Sequence, residues 1–427
     1  MRFLQTLYTS CRHGQSTGSG FQFYAFSEGL EPKELDEIEK LGLLPPVLDD
    51  VQPTESNSEI NLPMALRYFR LSSGRVGLLK STALSSDYSG RPGNFLAHAV
   101  VAQEGELPFA PALMVQSAAL LSNMSPAQWA VEETPPPLPP LELSQLQTPD
   151  ELPIEQIQQF LKEDENEDRF QFLLSALVNF PESERPVVLG CNHQEALNWL
   201  QVISASLPLD VLRQITFSTF SSQPGSARLS AIPPKASRFD FADPMASRFQ
   251  YYVLNTITNH RSEIIPSNYA GKALQLIRKE PALLPALMNS VYLPDADAWC
   301  RNSDILVQFF QVQETHTADA PTRAMLLQWL NENLDAEGVA KTLASCPALS
   351  IPARETAVST PEETEDTISP TTGEEVKPHT EQPEQGKDLS LEASTGKDGE
   401  HPPEKTAKTS TWALLKKLFY SPPNDPS

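Results

Sequence analysis

Residues Thr134 to Pro140 read TPPPLPP, which puts five prolines in seven positions. Each proline fixes φ near about −65° and lacks an N–H donor, and each residue before a proline is pushed out of the helical region. Neither a helix nor an inner strand can run through such a stretch, so it reads as an extended polyproline-II segment. It also divides the chain: the runs before it are β-prone and those after it have helical periodicity. We therefore place a boundary here, with a first unit over residues 1–143 and a second over 150–260. A spacer is the simpler role for the segment, and a ligand for SH3- or WW-type grooves is the other.

The first unit predicts a mainly antiparallel sheet. Phe3, Leu4, Leu7 and Tyr8 form a β-prone run, and a Gly/Ser-rich turn over 15–20 leads into the aromatic run Phe21 to Ser27, as in a hairpin. Pro32 opens a short amphipathic helix carrying Leu35, Ile38 and Leu41, with Gly42 just past its end. Met64 to Leu71 turns at Ser73-Gly74 into Val76 to Leu79, and Phe95 to Val101 completes the sheet. The fold class is α+β.

Between the last two strands lies SSDYSGRPGN, Ser85 to Asn94. It concentrates Asp87, Tyr88, Arg91 and Asn94 in eight residues. Gly90 and Gly93 permit backbone conformations that other residues resist, and Pro92 stiffens the bend. Arg91 offers a planar fork of donors suited to a carboxylate or phosphate. Two roles compete: recognition of a ligand or partner, or an internal Asp87–Arg91 pair that only shapes the loop.

A thiol site is the enzymatic alternative. Cys11 and His98, joined by Asp87 or Asn94, would supply a nucleophile, a base and an orienting group for a hydrolase or transferase. No cysteine-protease signature surrounds Cys11, and His98 shares a strand face with Leu96 and Val100, as a core histidine would. Cys11-x-His13 and Cys191-x-His193 have a one-residue gap unlike ordinary finger spacing, so we expect no metal site. No GxxxxGK[ST] occurs, and Gly271-Lys272 lacks both the upstream glycine and the following hydroxyl residue. No cofactor is expected.

Residues 150–260 read as an α/β unit. Ile154, Ile157 and Leu161 share one helix face, and Phe170, Leu173, Leu174 and Leu177 another. The buried-type run PVVLG (186–190), the helical stretch Gln194 to Ala205 and the alternating ITFSTF (215–220) suggest a βαβ crossover. Its loops hold Asn192, His193 and Glu195 without a glycine fingerprint, so this unit reads as scaffold. Residues 261–348 follow as a helical subdomain, with the Met325, Leu326, Trp329, Leu330 stripe as core.

From 349 to 410 the chain should be a disordered acidic arm. Residues 351–410 contain no Phe, Tyr or Trp and carry 14 acidic against 6 basic residues. Residues 411–421 then form a short amphipathic helix in which Trp412, Leu415 and Phe419 share a side. A tethered apolar peptide suits docking into a partner's groove; weak membrane-surface binding and packing back on the chain are the alternatives. The net charge of −23 argues against nucleic acid as a main partner. Four dispersed cysteines, no signal peptide and no membrane-length apolar run predict a cytoplasmic protein with no membrane insertion.

The segments YTSCRHG, GFQFYAFSEGL, LPMALRYFRLSSGRVGLLKST and DYSGRPGNFLAHAVV resemble, in that order, the type-2 N-terminal domain of the bacterial GTPase-associated protein family. ERPVVLG, EALNWL, LPLDVLRQ and ITFSTFSSQP look like that family's middle domain. The resemblance implies a protein acting beside a GTPase in a bacterial, defence-type multi-gene system. It singles out Ser10, Cys11, Asp87, Gly90, Arg91, Asn94 and His98 as shared motif positions and carries over no catalytic residue. The expectation is a non-enzymatic adaptor that binds a GTPase through Ser10, Asp87, Tyr88, Arg91 and Asn94 and a second component through residues 411–421.

Overall fold

The computed structural model describes residues 2–350 apart from 16–17, 42–63, 85, 125–131, 147–151, 164, 222–223, 225–226, 235–236 and 238. The expected acidic arm and its terminal helix, with Trp412, Leu415 and Phe419, lie outside the described residues. The fold is α+β, with a mainly antiparallel N-terminal sheet and a helical C-terminal region.

Five long strands build the N-terminal half: β1 (Arg2–Cys11), β2 (Gly20–Phe26), β3 (Met64–Arg70), β4 (Arg75–Ala83) and β5 (Phe95–Gln103). They lie in the order β3-β4-β5-β1-β2, and every pairing is antiparallel. Alternation explains the faces. Tyr8, Phe23, Phe69, Phe95, Ala97 and Ala99 share one side and pack on Leu30 and on Ile38 of α1 (Pro32–Lys40). Phe3, Tyr68, Val76, Leu78 and Val100 line the other side and merge with the core of the helices that follow.

The second half adds β7 (Val187–Gly190), β8 (Phe217–Ser218), β9 (Leu229–Ala231), β10 (Tyr252–Asn255) and β11 (His260–Arg261), with β6 being the short strand Leu141–Glu142. β8, β9, β7 and β10 run parallel, in that order, and β11 closes the edge antiparallel. The crossover after β7 is the helix His193–Ser206, as the βαβ reading expects. The alternating run 215–220 yields a strand of only two residues, flanked by Thr216 and Thr219, whose hydroxyls accept from the Arg228 and Leu66 amides.

The two halves share one sheet. Tyr68 pairs with Phe217 and Arg67 with Ser218, antiparallel, and the Leu66 amide donates to the Thr219 hydroxyl at 2.8 Å. The Tyr68 and Phe217 rings lie 5.8 Å apart, and the Tyr68 hydroxyl donates to the Arg213 carbonyl at 2.8 Å. The described residues fall within a single compact unit.

The proline run is not a free spacer. The Leu138 amide donates to the Phe26 carbonyl at 3.0 Å, and the Gln5 and Gln15 side-chain amides donate to the Pro139 and Pro135 carbonyls at 2.5 and 3.2 Å. Leu141 and Glu142 then pair with Phe3 and Arg2. Composition fixes the extended form, but glutamines far away in sequence hold it against β1 and β2.

Candidate functional site: the loop between β4 and β5

Leu84 and Asn94 bracket a loop whose base is a bond from the Leu84 amide to the Asn94 carbonyl at 2.8 Å. Asp87 organises its interior. Oδ1 accepts from the Ser89 amide, the Ser89 hydroxyl and the Arg91 amide at 2.8, 2.8 and 2.9 Å. Oδ2 accepts from Arg91 Nε at 3.0 Å and Nη2 at 2.9 Å. Burial alone would raise the Asp87 carboxyl, but the donors from Arg91 and Ser89 outweigh it and hold it below its ordinary value. The turn needs φ of +82° at Gly90 and +90° at Gly93, which explains both glycines.

Asn94 ties the loop to β1. Its Oδ1 accepts from the Ser10 amide at 3.1 Å, the Thr9 hydroxyl at 3.2 Å and the Phe95 amide at 2.9 Å, while Nδ2 donates to the Ser86 carbonyl at 3.2 Å. Ser10, Asp87 and Asn94 are thus buried framework. Tyr88 packs half-buried beside Leu7, Cys11 and Leu96. The Arg91 side chain remains 56% exposed, so the framework presents it at the surface.

Beside the loop sits Phe21, 47% exposed, its ring stacked on that of Phe95 at 4.8 Å. The sequence alone does not mark Phe21 as a binding residue. The Phe21-x-Phe23 alternation placed it on a strand face, but nothing in the sequence told that its end of the hairpin lies open. Exposed aromatic surface and arginine both recur at the energetic centres of protein interfaces, where Trp, Tyr and Arg are enriched.

The structure keeps Cys11 and His98 apart. His98 lies opposite Leu7 in the β1–β5 register, four residues short of Cys11, or about 13 Å along the strand. His98 is fully buried, its Nδ1 accepts from the Leu121 amide at 2.9 Å, and its Nε2 meets Gln5 Oε1 at 3.0 Å. The amide at Nδ1 puts the ring proton on Nε2, which donates to Gln5. Burial, reinforced by nearby Lys80, pushes His98 down to about 3. Burial likewise pushes the Cys11 thiol up to about 11, against a smaller opposing bond from Gln22. A neutral histidine with both nitrogens engaged and a protonated, buried thiol are core groups. The thiol-nucleophile constellation is therefore not assembled.

Among the described residues no cluster of three or more His, Cys, Asp or Glu side chains could hold a metal ion. Nor is any described helix long and apolar enough to cross a membrane. Away from the loop, a depression of about 340 Å³ is lined by Glu155, Gln159, Phe160, Glu163, Asn198 and Gln201. None of these six has a buried polar atom lacking a partner.

Residues 2–144 match the family profile described as GTPase-associated protein 1, N-terminal domain type 2, and residues 157–254 match that of the GTPase-associated protein 1 middle domain. Together the matches span more than half of the chain, and the first contains the whole β4–β5 loop. No curated protein matches the chain.

Proposed function

The chain belongs to the GTPase-associated protein 1 family, and we propose that its folded body is a non-catalytic adaptor that recognises a protein component of a GTPase-linked system. Arg91 and Phe21 make the contact, and Asp87, Asn94 and Ser10 hold them in place. The observation that carries this reading is the loop's construction: the Asp87 carboxylate gathers the Ser89 amide, the Ser89 hydroxyl and the Arg91 amide inward, and it grips two nitrogens of a guanidinium whose side chain stays 56% exposed. A group that is fixed before binding loses little entropy on association.

The partner is the GTPase or a protein bound to it, in a bacterial, cytoplasmic setting. Residues 411–421 recruit a second component through Trp412, Leu415 and Phe419. The motivation there is sequence alone, a short apolar helix former on a long acidic tether.

Affinity purification of the tagged chain from its host, with GTP hydrolysis assayed in the eluate, tests both contacts. The intact chain should retain a GTP-hydrolysing protein, and Arg91→Ala should lose it. Deleting residues 411–427 should lose a different protein. If all three baits return the same set at the same yield, the adaptor reading fails.

A further inference from the structure

The clamped proline run has a periodicity that the adaptor reading does not use. A polyproline-II helix turns once every three residues. Pro135, Leu138 and Leu141 are half-buried at that spacing, with Leu138 set among Leu7, Cys11, Leu96 and Met124. Pro136, Pro137 and Pro139, on the outward faces, are exposed. Three donors pin the inward side: the Leu138 amide to Phe26, and the Gln5 and Gln15 side chains to the Pro139 and Pro135 carbonyls. The strap also covers part of the outer edge of β2, which accounts for its inward face. It does not account for a row of prolines turned to solvent, since any extended polar segment would cover that edge.

We propose that Pro136, Pro137 and Pro139 form a pre-ordered polyproline ligand for a protein groove lined with Trp and Tyr side chains and rimmed by Lys or Arg. Ring-on-ring packing of prolines against such grooves is a recurrent recognition mode, and a strap already held in place lowers its entropic cost. Charge sets the rim. Glu133 is exposed and has no ion pair among the described residues, and the Glu132 side chain is 76% exposed beyond its contact with Arg12. A basic rim complements that acidic flank. This surface is distinct from the Arg91 loop and stands or falls apart from it.

The test is calorimetric titration of the full chain with an isolated WW domain that has a Trp/Tyr groove and a basic rim. Saturable binding is expected, at least tenfold weaker for Pro136→Ala/Pro139→Ala and severalfold weaker for Glu133→Lys. Arg91→Ala should bind as the parent does. Both prolines are exposed, so the double variant should melt at the parent's temperature, which checks that it folds. No saturation at millimolar probe, equal binding by the double variant, or loss of binding in Arg91→Ala would each overturn the proposal.

Discussion

Asp87 grips Arg91 at two points of the same residue: Oδ1 accepts its backbone amide at 2.9 Å and Oδ2 its guanidinium Nε at 3.0 Å. The Asp87 side chain is 8% exposed while that of Arg91 is 56% exposed. The loop thus separates two jobs, with the acid holding the turn and the base facing outward. Arg91→Ala should leave its melting temperature nearly unchanged, because an ion pair with so exposed a partner contributes little, about 0–1 kcal/mol. Asp87→Ala should cost about 2–3 kcal/mol, since it strands several donors at once. Urea denaturation of the two variants checks the contrast; equal losses would mean that the side-chain pair alone shapes the loop.

Gly90 has φ of +82° with nothing near the place where a Cβ would stand. Gly90→Ala should therefore cost only the backbone strain, about 1–2 kcal/mol, without a clash. Gly77→Ala should cost more, because its Cβ would fall 2.4 Å from the Phe69 ring and 2.9 Å from the Val100 carbonyl. Thermal melts of both variants should rank them in that order.

His98 predicts an acid-labile core. Burial holds its folded value near about 3, below the ordinary 6.5. The unfolded chain therefore binds a proton that the folded chain refuses between those values. The contribution is complete above about pH 6.5 and is lost as pH falls toward 3, on the order of a few kcal/mol. His193, pushed down to about 4 by burial, adds to the same slope. His98→Gln should flatten the fall in urea midpoint between pH 7 and pH 5 compared with the parent. An unchanged slope would contradict the assignment of the buried ring.

All four cysteines are buried, and burial raises every thiol: Cys11 to about 11, Cys300 to about 12, Cys191 and Cys346 also upward. Iodoacetamide at neutral pH should label none of them quickly, and denaturant should make all four equal. Fast labelling of Cys11 in the folded chain, abolished by His98→Ala, would restore the thiol-enzyme reading.

Much of the N-terminal sheet is legible in the sequence because its strands are long and alternate. Tyr8, Phe23 and Phe95 face one way and Leu7, Leu96 and His98 the other, as period two requires. The loop is legible as well, since Gly90, Pro92 and Gly93 announce a bend. The separation of Cys11 from His98 is not, because it depends on the β1–β5 register, and register is set by pairing between residues as far apart in sequence as Leu7 and His98. The same holds for the shared sheet. β8 has two residues, too few for any periodic signal, yet through Tyr68 and Phe217 it joins the halves that the proline run had seemed to part. Gln5, which links His98 to the strap, carries no local signal at all. Phe217 is 3% exposed at that joint, so Phe217→Ala should cost about 3–5 kcal/mol and still leave one cooperative unfolding transition. Two separate transitions would mean that the halves fold apart.

The most direct test of the adaptor account is the affinity of the purified chain for the GTP-hydrolysing protein recovered with it, measured for the parent, Arg91→Ala and Phe21→Ala. The account predicts that each substitution weakens binding at least tenfold while the melting temperature stays within a few degrees of the parent's. Parental affinity in both variants would contradict it.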